Sequence, residues 1–235
     1  METNLIKDYK LFEDNYNRIM PELIKKNYRP LSTKEIMIYK RKAVETKDGI
    51  EINFWLDHHF DTPDGLIPYK DHIIVIPYSP NDPDSQLLVN ANENSDFNFG
   101  ALRLTENKFN YLAEKYGMLK RDDILFGRRL LLTEAKQHQV WFKLTGADKN
   151  EENKIILYSC IDYIFKEIDL KYEHYDGMSV SIENDKDEPL MYAFNIGVLD
   201  HGSNIVAWYD LKEDDSRIIA VPKEKNLEMI VNVVL

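Results

Sequence analysis

Cysteine is nearly absent from this sequence. Cys160 stands alone among 235 residues, so no internal disulfide can form, and a reducing, cytoplasmic setting is the expectation. Glycine is also scarce, with nine in all. The patterns G-x-G-x-x-G, G-x-x-x-x-G-K-S/T and G-x-S-x-G do not occur, so the Gly-rich phosphate loops and the nucleophile elbow are not encoded. No apolar run reaches the roughly 18–20 residues that cross a bilayer, so no membrane partner is expected. The opening METNLIKDYKL lacks a basic segment followed by an apolar one, and no signal peptide is read from it. Positive charge is short too: 30 Lys and Arg face 41 Asp and Glu, a net charge of −11. Free nucleic acid is therefore not an expected partner, because phosphate binding draws on a positive surface.

What is present is the composition of a globular protein. Hydrophobic residues make up 43% and charged residues 30%, enough for a sizeable core under a solubilising surface. Leu5, Tyr9, Phe12, Tyr16, Ile19 and Leu23 recur at helical spacing, which predicts a helix over 4–27, kinked or restarted at Pro21. Ser32-Thr33-Lys34-Glu35 has capping-box form and starts a helix to about Ala43. Ile50, Ile52, Phe54 and Leu56 alternate with Glu51, Asn53 and Trp55 as in a half-buried strand, and Ile73–Ile76 reads as a second strand. Residues 79–100 form a long polar stretch, mobile or functional. Three helices follow: one between Thr105 and Gly117, one over about Asp123–Thr145, and one over about Glu151–Asp169. From Met178 onward, short runs separated by turn clusters predict an antiparallel meander, its last strand at Met229–Leu235. The expected class is α+β: N-terminal and central helices on a mostly antiparallel sheet with a C-terminal β-meander. Residues 1–235 are expected to form a single domain, with a mainly helical subregion to 175 and a β-rich one from 176.

The densest chemistry is Asp57-His58-His59-Phe60-Asp61, followed a loop later by Asp71-His72. Imidazole and carboxylate are ligands for Zn, Mn or Fe. If the flanking strands pair as a hairpin, His58 or His59 comes close to His72. Asp57, His58, His59, Asp61 and His72 would then hold a divalent metal, Zn or Mn, that activates water for hydrolysis. Equally, His58 continues the apolar face of the strand and can be a packed residue, with Thr62-Pro63-Asp64-Gly65 as a turn. Asp57-His58-His59 after an apolar strand resembles one motif of the DHH phosphoesterases. The resemblance spans three residues; that family's paired-Asp motif and its Gly-rich segment ending in His have no counterpart here, and membership is not inferred.

Glu134 and His138, four apart, can face together on a helix, but no second Glu-x-x-His accompanies them, so His138 reads as a core histidine. Cys160 lies in an apolar stripe and reads as packing. The 14 tyrosines and three tryptophans suit either a mixed core or an interface. No motif names a reaction. The first expectation is a non-catalytic binding or assembly protein, with a protein partner or self-association. The alternatives are a metal-dependent hydrolase at Asp57–His72 and an acidic nucleic-acid mimic, although the acids are spread along the chain.

Overall fold

The computed structural model describes residues 9–46, 54–55, 58–98, 100–165, 178–182, 187–197, 203–207, 211 and 216–224. It is α+β, with helices on a mostly antiparallel sheet. The chain enters as β1 (Lys10–Asp14), α1 (Tyr16–Lys25), β2 (Tyr28–Pro30) and α2 (Thr33–Thr46). A hairpin of β3 (Phe60–Tyr69) and β4 (His72–Ile76) comes next, then the short β5 (Phe97–Asn98) and β6 (Ala101–Arg103). Helix α3 (Glu106–Tyr116), β7 (Leu119–Lys120), α4 (Leu132–Ala135), α5 (Gln139–Thr145) and α6 (Glu151–Tyr163) precede the C-terminal strands. These are β8 (Met178–Ile182), β9 (Leu190–Ile196), β10 (Ser203–Ala207) and β11 (Ser216–Pro222).

Two sheets result. The smaller has the order β1-β11-β2 and the larger the path β5-β6-β9-β3-β4-β7, with β10 joining β9 to β8. β3 is central, and all ten of its residues are buried. Side chains on alternating positions fill two cores. On one face Ile73, Val75, Tyr192 and Phe194 pack with Ile36 of α2, Trp141 of α5 and Leu157 of α6. On the other, Ile74, Ile76, Met191 and Ala193 pack with Ile19 and Leu23 of α1 and Leu112 of α3.

Several expectations change. The helix read over 4–27 is β1 followed by α1, because residues Lys10–Asp14 pair with Ala220–Ser216 of β11. A partner some 200 positions away overrides local periodicity. Asn15 caps α1, its side chain accepting from the Asn17 N–H, and Pro21 lies within the helix. Phe54 and Trp55 are helical rather than extended, and Trp55 is fully buried; residues 50–53 and 56 lie outside the described ones. Of the helix read over 123–145 only α4 and α5 form; the part before α4 is not helical, with Gly127 at a φ of 68° and Leu130 bridging to Met178. The C-terminal strands lie where the periodicity put them, but β8 and β10 run parallel and β11 leaves for the smaller sheet. The run 229–235 lies outside the described residues.

The largest departure is β3. Thr62-Pro63-Asp64-Gly65 forms no turn; it is a bulge within the central strand, where pairing with β9 jumps from Asp61↔Asn195 to Gly65↔Ala193. Pro63, lacking an N–H, falls where the ladder is already interrupted. Gly65 permits the close approach of β9, since a Cβ there would overlap the Met191 methyl.

Candidate functional site

The bulge turns two acids inward. Asp64 is fully buried; one carboxylate oxygen accepts from the Thr33 N–H at 2.6 Å and the other from the Tyr78 N–H at 2.6 Å. Thr33 opens α2, so its N–H is one of the helix's unsatisfied donors, and a carboxylate suits the positive end of the helix dipole. Asp64 thereby ties the start of α2 to the exit of β4. Burial pushes its carboxyl up to about 6, against the two backbone donors that favour the charged form. Thr33 and Thr62 meet hydroxyl to hydroxyl at 3.3 Å, and Thr62 donates to the Phe194 carbonyl at 3.0 Å.

Beside this network stands a buried ion pair. The Arg29 guanidinium on β2 reaches Glu35 at 2.8 Å, with the two side chains 5% and 1% exposed. Glu35 also accepts from the Ser32 N–H at 2.9 Å, while the Ser32 hydroxyl accepts from the Glu35 N–H at 3.3 Å. That is the capping box expected from the sequence, with an arginine added.

Above this floor lies a cleft of about 560 Å³. Its walls come from β2 (Arg29), the first turn of α2 (Ser32, Lys34), the segment after β4 (Tyr78 to Asp82), and the junction of α5 with α6 (Gly146, Lys149, Asn153). Lys223, just past β11, completes it. A smaller cavity of about 270 Å³ adjoins it and shares Arg29, Tyr78, Pro80 and Lys223. Burial pushes the Tyr78 phenol up to about 12. Lys34 donates to the Asn153 side-chain oxygen, and burial pulls its ammonium below the usual lysine value.

One rim is an ion network. Asp84 accepts from Lys108 at 2.8 Å, from Lys115 at 2.8 Å and from Tyr111 at 2.6 Å. Asp82 accepts from Lys115 at 2.5 Å and Tyr116 at 2.6 Å. These bonds fasten the polar stretch after residue 79 to α3. With the 3₁₀ turn Pro83–Gln86, they give structure to what the sequence presents as a loop.

The residues singled out by sequence are not brought together. His72 pairs with Tyr69 across the hairpin, whereas His58 and His59 precede Phe60 at the opposite end of β3, a strand length of roughly 30 Å away at about 3.3 Å per residue. The physical reason is the turn: only Lys70 and Asp71 link the strands, so register sets His72 against the last residue of β3. The His58 Nδ1 donates to the Phe54 carbonyl at 3.0 Å, and its ring packs against Phe54 and Phe60, which also touch each other. His59 is half-buried. Asp61, 2% exposed, accepts from the Asn195 side chain at 3.0 Å and from the Arg217 N–H at 3.0 Å, linking the two sheets. Asp57 lies outside the described residues. Among the described residues no group of three His, Cys, Asp or Glu is placed to hold a metal ion.

Elsewhere, Glu134 pairs with Arg128 at 2.6 Å. His138 is 5% exposed and its Nε2 donates to the Leu125 carbonyl at 3.1 Å, so it is a core histidine. Cys160 is buried, and burial pushes its thiol up to about 12, which suits packing and not nucleophilic attack. Among the described residues no helix is long and apolar enough to cross a membrane. Sequence reasoning missed Arg29, Lys34, Asp64, Lys149 and Lys223. The only local signals were the Ser32–Glu35 capping box and a proline and a glycine flanking Asp64.

No protein-family model matches the chain, and no curated protein matches it. Among solved structures, one described as the accommodation of massive sequence variation in Nanoarchaeota by the C-type lectin fold superposes with a TM-score of 0.62 at 14% identity, over 93% of this chain and 100% of that one. At this identity the likeness speaks for architecture: the chain has a C-type lectin-like fold.

Proposed function

We propose that this chain is a non-catalytic binding protein whose recognition surface is the cleft over Arg29, Lys34 and Tyr78. The observation that carries the reading is the cleft itself: a cavity of about 560 Å³, within the roughly 300–1,000 Å³ typical of small-molecule sites. Its floor is held by buried backbone N–H groups that donate to Asp64 and Glu35, so the walls are pre-organised and little ordering entropy is lost on binding. The fold supports the reading too. The Nanoarchaeota structure is described as a C-type lectin fold that accommodates massive sequence variation, and a scaffold tolerant of sequence change suits recognition. The cleft favours a compact ligand over a protein partner, which would need roughly 800 Å² on each side. The same reading takes residues 1–235 as one folding unit, supported by a core cluster drawn from Leu31 through Val221.

The test is thermal unfolding against a panel of sugars, nucleotides, phosphate esters and organic acids, repeated on Asn81→Trp. Asn81 is an exposed residue of the cleft wall, and an indole there fills the cavity without entering the core. At least one class should stabilise the parent by mass action, about 2.7 kcal/mol at a hundredfold excess over Kd, and the effect should disappear in the variant. Equal stabilisation of both proteins, or none by any class, would overturn the proposal.

A further inference from the structure

We infer that the cleft is an anion site and that its ligand is a small, multiply charged phosphate ester. This rests on the reading of the cleft as a recognition surface and adds the chemistry of what enters it. Lys34, Lys149 and Lys223 line one cavity from three separate segments: the first turn of α2, the loop before α6, and the turn after β11. Among the described residues, none of the three has a carboxylate within ion-pair distance. Lys34 is half-buried and its ammonium is met by the neutral side-chain oxygen of Asn153.

Outside the cleft, some lysines are paired and others are not. Lys108, Lys136 and Lys143 each reach an Asp at 3.0 Å or less. Within the cleft, the other charges are already matched. Arg29 is engaged by Glu35, and Asp82 by Lys115 and Tyr116. Asp148, next to Lys149, pairs with Lys143 at 3.0 Å. Three ammonium groups without a direct ion pair among the described residues therefore line one cavity on a chain whose net charge is −11, with Glu152 and Glu35 acting on Lys34 only through space.

A half-buried ammonium has lost part of its hydration, and an incoming anion would restore stabilisation that a neutral oxygen supplies only in part. One carboxylate would balance one lysine. A phosphate ester carries more charge and three acceptor oxygens, and lysine binds phosphate as a point charge without a Gly-rich loop. The absence of phosphate-loop motifs from the sequence is thus no obstacle. The cleft volume leaves room for an uncharged body beside the charged group.

The test is calorimetric titration at low salt with inorganic pyrophosphate as the anionic probe and trehalose as the neutral one. It uses the parent chain, Lys149→Glu, Lys223→Glu and a control, Lys120→Glu, whose residue is exposed on β7 and outside the cleft. All three substituted lysines are exposed, and circular dichroism verifies folding. Pyrophosphate should bind the parent, and each cleft reversal should weaken it by about tenfold or more, while the control stays within about twofold. A matching loss in Lys120→Glu would reduce the effect to net charge and overturn the inference. Binding of trehalose, blocked by Asn81→Trp, without binding of pyrophosphate would overturn the anion assignment and leave the recognition reading intact. If neither probe binds and the panel is also silent, both fail.

Discussion

The floor of the cleft and its rim use the same chemistry, carboxylates held by donors, and burial sets them apart. In the floor, Asp64 is fully buried and Arg29 is 4% exposed. In the rim, the Asp82 and Asp84 side chains are 26% and 21% exposed. The two environments drive their acids in opposite directions. Burial raises Asp64 to about 6 although both its oxygens accept backbone N–H groups. Donors from Lys108, Lys115 and Tyr111 hold Asp84 well below the usual carboxylate range. Desolvation outweighs two short hydrogen bonds in the floor, and solvated charge pairing prevails on the rim. The floor is therefore the element on which cleft geometry depends, while the rim fastens one segment to α3 at little thermodynamic stake.

That contrast is broken or sharpened by graded substitutions. Arg29→Leu leaves the Glu35 carboxylate buried without its cation, and urea unfolding should show a loss of about 3–5 kcal/mol. Removing both partners as leucines should recover a good part of it. A double variant no better than the sum of the singles would mean the pair is uncoupled.

Asp64→Asn addresses the pH dependence. The folded carboxyl titrates at about 6, above its ordinary 3.8, so the native state holds the proton more tightly than the unfolded chain does. The contribution of Asp64 to stability is thus greatest below about pH 4 and is lost as pH rises through about 6. The stability of the parent minus that of the variant should shrink between pH 4 and pH 7 in urea titrations. A flat difference would place Asp64 in a solvated setting and erase the contrast with the rim.

Asp84→Asn should have the smallest effect, less than about 1 kcal/mol and weaker still in high salt. A larger loss in thermal unfolding would make the rim a structural element on a par with the floor.

The helices Thr33–Thr46, Glu106–Tyr116 and Glu151–Tyr163 were legible because their signals are local: a capping box, a Thr cap with a closing Gly, and an apolar stripe. The C-terminal strands were legible for the same reason, through alternation between turn clusters. What could not be read was set by distant partners. Lys10–Asp14 became a strand through β11, and Asp61–Gly65 became a bulge through β9. The candidate site followed the same division. Histidines drew attention by residue type, yet a two-residue hairpin placed His72 against Tyr69, far from His58. The cleft was invisible because Arg29, Lys34, Lys149 and Lys223 are ordinary surface types, brought together only when β2, α2, α6 and the end of β11 converge.

Hydrogen–deuterium exchange with and without saturating pyrophosphate tests the central claim most directly, because it compares the cleft with the histidine region in one experiment. Slower exchange should appear in residues 28–34, 77–82 and 144–149, with no change at 58–61 or 71–73. Protection confined to the histidine segments, or spread evenly over the chain, would contradict the account.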